Sequence, residues 1–294
     1  MHPDRAGAIS KFVPILPSIR IVPRKWNRTA NLENQCHVID NRWYRFSDAE
    51  LADLAETWCP RRFGVGADGL LALNEAESDD VAYRMRYVNA DGSWATMCGN
   101  GARCLAQFAL ESDFEGPELS FETDAGRYHA TRGGEAPDRV RLFVPPPEAL
   151  DLDMIGDADT PEPVHFVHTG TEHLVTFVPD IRAVSVEEWA PPLRADPRVH
   201  PEGANVNFVA VNAEGALQVR TYEKGVEEET LSCGTGVLAA AVVAEATDRV
   251  DDGPVTVHTR GGTLQVGTAA TSRGRERYLE GPVVNVFRGS LKLE

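Results

Sequence analysis

The sequence predicts an α/β (α+β) fold of two pseudo-symmetric domains, each a mixed β-sheet or barrel wrapped around one central buried helix. Short stretches of alternating apolar residues, typical of strands, recur along the 294 residues. Two further segments are apolar on nearly every face of a helix, and such a helix has to be buried all round. Each follows a Cys-Gly-x-Gly turn, and the two turns start 135 positions apart, at residues 98 and 233.

Seven stretches are expected to form strands because apolar residues alternate along them. They are Val81–Val88, Val140–Val144, Val164–His168, Leu174–Val178, Asn205–Val211, Leu217–Tyr222 and Val255–Thr259. The apolar helices are expected at about Asn100–Leu110 and Thr235–Ala246, with an amphipathic helix near Asp48–Glu56.

Three consecutive prolines, Pro145–Pro147, interrupt the strand pattern and favour a crossing between domains. We therefore expect one domain to comprise residues 1–144 and 280–294 and to carry the first cysteine turn. The second domain, residues 145–279, carries the other turn.

The composition excludes several classes of partner. Lysine and arginine total 29 against 45 acidic residues, a net charge of −16, so phosphate backbones are repelled and no nucleic-acid partner is expected. The longest apolar run, Val237–Ala244, is far shorter than the ~20 residues that span a bilayer, so no membrane partner is expected. The amino terminus lacks the apolar core of a signal peptide. These features predict a cytoplasmic enzyme with reduced thiols.

Each of the two cysteines, Cys98 and Cys233, stands where a loop becomes a buried helix. Free N–H groups and the positive end of the helix dipole should face the thiol and anything bound beside it. We therefore expect the thiol pKa to fall towards neutrality and a carboxylate to bind at the turn. Of the other cysteines, Cys104 fits a helix core, while Cys36 and Cys59 have no supporting pattern.

Two facing thiols suit the inversion of an α-carbon, which needs a base on one face and an acid on the other. The α-proton of an amino acid is a very weak acid, so the carbanion needs oriented donors, which two helix N-termini can supply. No His/Cys cluster has zinc-ligand spacing. The pattern thus indicates an epimerase that needs no metal and no cofactor.

The residues around both turns resemble the diaminopimelate epimerase family. The similar stretches are RRFGVGADGL (61–70), VNADGSWATMCGNGARC (88–104), GTEH (170–173), NVNF (205–208) and YEKGVEEETLSCGTG (222–236). The resemblance covers most of the chain from about Cys36. It implies a homodimer with its active sites in clefts between two domains. It further implies interconversion of LL- and meso-diaminopimelate, without pyridoxal phosphate or metal, in lysine and cell-wall precursor synthesis.

The resemblance also implies a set of site residues. Cys98 and Cys233 match the catalytic thiols, His173 a histidine near one thiol, and Glu223 a carboxylate that meets the substrate's α-amino group. The expected substrate-binding residues are Asn34, Asn89, Asn205 and Lys224, together with the turn residues Gly99, Asn100, Gly234 and Thr235. Taken singly, Asn89 is also typical of a turn, His173 of a strand and Glu223 of an acidic surface.

The chain departs from the family at three places. Lys224 replaces an arginine, and Thr171-Glu172 replaces Asn-Pro before the histidine. Leu32-Glu33 replaces a glycine turn, so we expect an ordered strand near Cys36–Ile39, with the residues before about Asn31 loosely held. The alternatives are a proline or hydroxyproline racemase and an inert binding protein of the same fold.

Overall fold

The computed structural model describes residues 19–22, 35–112, 114, 116–134, 138–199, 201–285 and 287–289. Asn34 lies outside these residues. Within them, no helix has the length and apolar character needed to span a bilayer.

The first half of the chain contains eight strands and three helices among the described residues. The strands are β1 Ile19–Val22, β2 Cys36–Asp40, β3 Gly69–Asn74, β4 Tyr83–Asn89, β5 Trp94–Ala95, β6 Glu118–Thr123, β7 Gly126–Arg132 and β8 Arg139–Val144. The helices are α1 Asn41–Tyr44, α2 Asp48–Trp58 and α3 Gly99–Leu110.

The second half contains ten strands and two α-helices among the described residues. The strands are β9 Ala149–Ile155, β10 Val164–His168, β11 Glu172–Phe177, β12 Asn205–Val211, β13 Leu217–Glu223, β14 Glu228–Thr230, β15 Val255–Thr259, β16 Gly262–Thr271, β17 Gly274–Pro282 and β18 Phe287–Gly289. The α-helices are α4 Val186–Arg194 and α5 Gly234–Ala246. Every strand and helix expected from the sequence is confirmed, with bounds that differ by at most two residues.

The strand pairings show the pseudo-symmetry directly. In the first half, β2 pairs with β3 in parallel, β3 with β4 antiparallel, and β4 with β6 in parallel. In the second half, β11, β12, β13 and β15 repeat this sequence of pairings with the same directions. The halves meet where β8 pairs antiparallel with β17, and we call this ladder the seam. The expected fold class is therefore confirmed.

Each half is built around one buried helix. In α3 every residue from Asn100 to Leu110 is buried, and in α5 every residue from Gly236 to Ala244 is. Burial of each large aliphatic side chain contributes about 1.5–3 kcal/mol. The two helices also contact each other across the seam. Cys104 belongs to the apolar cluster around α3, as expected.

The amino-terminal strand corrects one expectation. Residues Ile19–Val22 form β1, which pairs antiparallel with both β2 and β18, so the loose attachment expected before Asn31 is wrong for these four residues. An edge strand presents unpaired N–H and C=O groups, and β1 satisfies those of β2. The expected strand near Cys36–Ile39 is confirmed as β2. Because β18 also pairs with β1, we propose that β18 belongs to the first domain, as the expected bounds require.

Candidate active site

Both cysteine turns form the caps of buried helices. Cys98 precedes α3 with extended backbone, and its Sγ accepts a hydrogen bond from the Gly101 N–H at 3.4 Å. Cys233 precedes α5 with similar backbone angles, and its Sγ lies 3.4 Å from the Thr235 Oγ1. Neither cysteine forms a disulfide bond. The expected position of each cysteine at a loop-to-helix junction is therefore confirmed.

The seam brings the two turns together. Leu142 of β8 and Leu279 of β17 face each other across the ladder. A Cβ atom added to Gly99 would lie 4.0 Å from Leu142, and one added to Gly234 would lie 3.3 Å from Leu279. The first residues of α3 and α5 therefore lie over one cross-strand pair, where the two halves meet.

Glu223 is a carboxylate whose charge acts on both thiols. It ends β13, just as Asn89 ends β4 at the corresponding place in the other half. Its charge raises the pKa of Cys98 and also that of Cys233, after the larger effect of burial. The structure thus brings together three of the residues that the sequence singled out: Cys98, Cys233 and Glu223.

The expected fall of the thiol pKa values is wrong. Burial raises the pKa of Cys98, although the N–H groups of Gly101 and Asn100 and the Arg103 charge act in the other direction. Burial and then the Glu223 charge raise the pKa of Cys233 to about 12. The helix N-termini do favour the thiolates, as expected, but removal from water outweighs them.

His173 is a buried, neutral histidine. It faces Asn205 in the parallel pairing of β11 with β12, and none of its surface is exposed. Its Nδ1 lies 3.1 Å from the Asn207 Nδ2, which can only donate, so the ring proton is on Nε2. Within the described residues, Nε2 has no hydrogen-bond partner. Burial lowers the pKa of His173 to about 3.

Asn207 is a site residue that the sequence analysis missed. Its amide also donates to the Leu174 carbonyl at 2.9 Å and accepts from the Thr221 hydroxyl at 2.9 Å. A Cβ atom added to Gly236 would lie 2.4 Å from its Oδ1. Asn207 therefore orients His173 and supports the second cysteine turn at once. The available signal was its position two residues after Asn205, on the same face of one strand.

Asn205 joins two places at which the chain departs from the family. Its Nδ2 donates to the Glu172 carbonyl at 3.1 Å, and its Oδ1 accepts from the Lys224 N–H at 2.9 Å. The side chains of these neighbours form an ion pair of 2.6 Å, with about a quarter of each exposed. Burial acts to raise the pKa of Glu172, but the bond from Lys224 prevails and lowers it to about 2. Lys224 therefore has an internal carboxylate partner.

The remaining expected residues lie at the turns. Asn89 donates to the Ser93 Oγ at 3.0 Å, which is a turn contact; its contact with substrate stays a prediction. Asn100 is buried and its Oδ1 accepts a bond from the Arg103 guanidinium. The Thr235 carbonyl accepts from the Thr169 hydroxyl at 3.0 Å. Among the described residues, no three His, Cys, Asp or Glu side chains lie where they could jointly hold a metal ion.

Comparison with known proteins agrees with this geometry. The diaminopimelate epimerase family model matches residues 30–140 and 165–286. A diaminopimelate epimerase from Chlorobaculum tepidum is 38% identical over 88% of this chain and 98% of its own length. One from Methanothrix thermoacetophila is 41% identical over 83% of this chain and 87% of its own.

More distant proteins share the fold. A phenazine biosynthesis protein of the PhzF family from Bacillus anthracis superposes with a TM-score of 0.68 at 17% identity, covering 94% of this chain and 100% of that one. A probable proline racemase from Agrobacterium radiobacter gives 0.61 at 18% identity, covering 94% and 93%. Identity this low carries the fold but no activity, whereas the closer similarities carry the family. The chain belongs to the diaminopimelate epimerase family.

Proposed function

We propose that the protein interconverts LL- and meso-diaminopimelate by proton transfer between the α-carbon of the substrate and two cysteines, Cys98 and Cys233. The observation that carries the proposal is the meeting of two cysteine-capped helix N-termini over one pair of residues at the seam. A single α-carbon held there would have one sulfur atom on each side. The names of the relatives that match most of the chain support the choice of substrate.

In the proposed reaction, one cysteine is a thiolate and removes the α-proton, while the other is a thiol and protonates the opposite face of the carbon. The protonation states of the two cysteines are exchanged at the end of one turnover, and the reverse reaction restores them. No pyridoxal phosphate or metal takes part, because the two sulfur atoms and the helix N–H groups supply the base, the acid and the stabilising donors.

The backbone N–H groups of Gly99, Asn100, Gly234 and Thr235 are proposed to bind the α-carboxylate. As the α-proton leaves, negative charge spreads into this carboxylate, so donors aimed at it stabilise the transition state. Glu223 is proposed to hold the α-ammonium group between the thiols. The raised thiol pKa values fit the role of a thiolate as the base, because a thiolate whose conjugate acid has a higher pKa is a stronger base towards a weak carbon acid.

At the distal end of the substrate, Lys224 is proposed to bind the second carboxylate by charge, together with Asn89, Asn205 and Asn34. His173 is proposed to lie beside a thiol as a neutral donor. Its Nε2 proton is available, since Asn207 occupies the other ring nitrogen. Lys224 must leave Glu172, at least in part, to meet a substrate carboxylate.

The test is exchange of the α-proton for solvent deuterium in LL- and meso-diaminopimelate, followed by mass spectrometry. We expect exchange and interconversion of the two epimers with the wild-type protein, and loss of interconversion in Cys98→Ala and Cys233→Ala. Cys104→Ala, a matched control in the core of α3, should retain both. Retained interconversion in either site variant would contradict the two-thiol mechanism, and exchange of proline but not diaminopimelate would establish the racemase alternative.

A homodimer and a cytoplasmic location are also proposed. None of the five cysteines forms a disulfide bond, which suits a reducing compartment. Sedimentation of the purified protein tests the oligomeric state, and a monomer at micromolar concentration would contradict it.

A further inference from the structure

Arg103 is a buried cation within the first helix. It lies on α3 one turn past Cys98, it is 1% exposed, and it is among the largest fully buried side chains of the protein. One Nη donates to the Asn100 Oδ1. Among the described residues, Nε and the other Nη have no hydrogen-bond partner. A buried arginine is costly unless an anion lies near it, so an anion is expected beside this guanidinium.

The nearby carboxylate of Glu280 does not compensate this charge, because its two oxygens bond the Nε atoms of Arg139 and Arg141 at 2.6 Å each. The guanidinium instead packs against the backbone of β17, where a Cβ added to Gly281 would lie 3.3 Å from its Nε. Burial lowers the pKa of Arg103. The thiols of Cys104 and then Cys98 act to raise it, the like charge of Arg139 lowers it further, and no carboxylate is among these groups.

The corresponding position in the other half of the protein does not hold a cation. The repeat that relates residues 98 and 233 places Leu238 of α5 where Arg103 stands in α3, and Leu238 is a buried apolar residue. The backbone of the two turns is alike, but the charge beneath them differs.

We propose that Arg103 is a positioning residue that makes Cys98 the more readily ionised thiol of the pair and leaves the proton of the pair on Cys233. The inference rests on the proposed two-thiol function. A thiolate at Cys98 supplies the anion that the buried guanidinium lacks, and Asn100, held by Arg103, keeps its N–H directed at the same sulfur.

The other groups around Cys98 do not replace this cation. Glu223 faces both thiols and disfavours both thiolates. Cys36 of β2, Cys104 of α3 and Tyr87 of β4 also face Cys98, and burial raises the pKa of each. All three are therefore neutral near pH 7 and contribute no charge.

The test measures the ionisation of each thiol without turnover. The wild-type protein is alkylated with iodoacetamide over a range of pH, and the rate at each cysteine is read from peptide mass spectra. Only the thiolate reacts, so the rate at each cysteine rises with pH until it levels off near the pKa of that thiol, whatever its access. We expect the Cys98 rate to level off at least about one pH unit below the Cys233 rate, which is a tenfold difference in the ionised fraction at a fixed lower pH.

Arg103→Met, which keeps the length and apolar stem, should move the Cys98 profile to higher pH by about one unit, a tenfold loss of rate at fixed pH. Arg103→Lys should restore most of the Cys98 rate, and neither variant should shift the Cys233 profile to lower pH. An unchanged Cys98 profile in a folded Arg103→Met protein would overturn the proposal. So would earlier reaction of Cys233 in the wild type, an outcome that needs no variant. If the wild-type protein shows no deuterium exchange but Cys98 still reacts before Cys233, the proposed function is refuted and the role of Arg103 is not.

Discussion

Acidification should destabilise this protein through His173. The ring is completely buried, and its Nδ1 accepts a hydrogen bond from Asn207, so the folded state holds it neutral. Burial lowers its pKa from 6.5 to about 3. The unfolded chain therefore binds a proton at this residue at a pH at which the folded chain does not.

The sign and size of the effect follow from this difference. Above pH 6.5 both states are neutral and nothing is lost; between 6.5 and 3 the stability falls as the pH falls; below 3 the loss is complete. Each unit in this window lowers the free energy of unfolding by about 1.4 kcal/mol. At about pH 5 the expected loss from His173 is thus about 2 kcal/mol.

The assay is urea unfolding of the wild type and of His173→Asn at about pH 7.5 and about pH 5. Asparagine places its Oδ1 near the position of Nδ1, so the bond from Asn207 can be kept. Other buried histidines titrate in both proteins and cancel in the comparison. We expect the wild type to lose about 2 kcal/mol more than the variant over this interval. Equal losses would refute the assignment of His173 as a buried neutral ring.

Three further predictions concern the second cysteine turn, the lysine proposed to bind the distal carboxylate of the substrate, and the seam. Gly236→Ala should lower the free energy of unfolding by about 1–3 kcal/mol and slow epimerisation, because its Cβ would lie 2.4 Å from the Asn207 Oδ1; thermal unfolding and the exchange assay measure both. Lys224→Ala should raise KM for diaminopimelate whereas Glu172→Gln should lower it, since the lysine then loses its internal carboxylate; an unchanged KM in both variants would remove the ion pair from the site. Glu280→Ala should cost about 3 kcal/mol in urea unfolding, because two arginines of β8 lose a buried partner; a loss below about 1 kcal/mol would contradict this role.

Sequence reasoning recovered the two-domain plan because its strongest signals are local. A cysteine before two glycines marks a helix start, and an apolar run without a polar face marks a buried helix, wherever they occur. Because the cysteine turn and the apolar helix both recur 135 positions later, the sequence predicted that Cys98 and Cys233 act together. The strands with weaker alternation, such as Glu118–Thr123, were not singled out because their outward residues are mixed in character.

Two features of the site could not be read from the sequence. The ion pair between Glu172 and Lys224 joins residues 52 positions apart, so each was visible only as an isolated departure from the family. The thiol pKa values depend on how far burial outweighs the helix N–H groups, and the depth of burial is a property of the whole fold. For the same reason, the sequence analysis did not single out Arg103.

The last strand has a consequence for how the chain folds. Strand β18 follows β17 directly, yet it pairs with β1 at the other end of the sequence. The second half, β9 to β17, is continuous and can form all its internal pairings as soon as it has been synthesised. The first half lacks its outermost strand until β18 has been synthesised. Domains generally fold as the chain emerges, amino-terminal part first. Here the amino-terminal half is the one completed last, so a chain truncated before Phe287 would have a second half that is whole and a first half with an open edge.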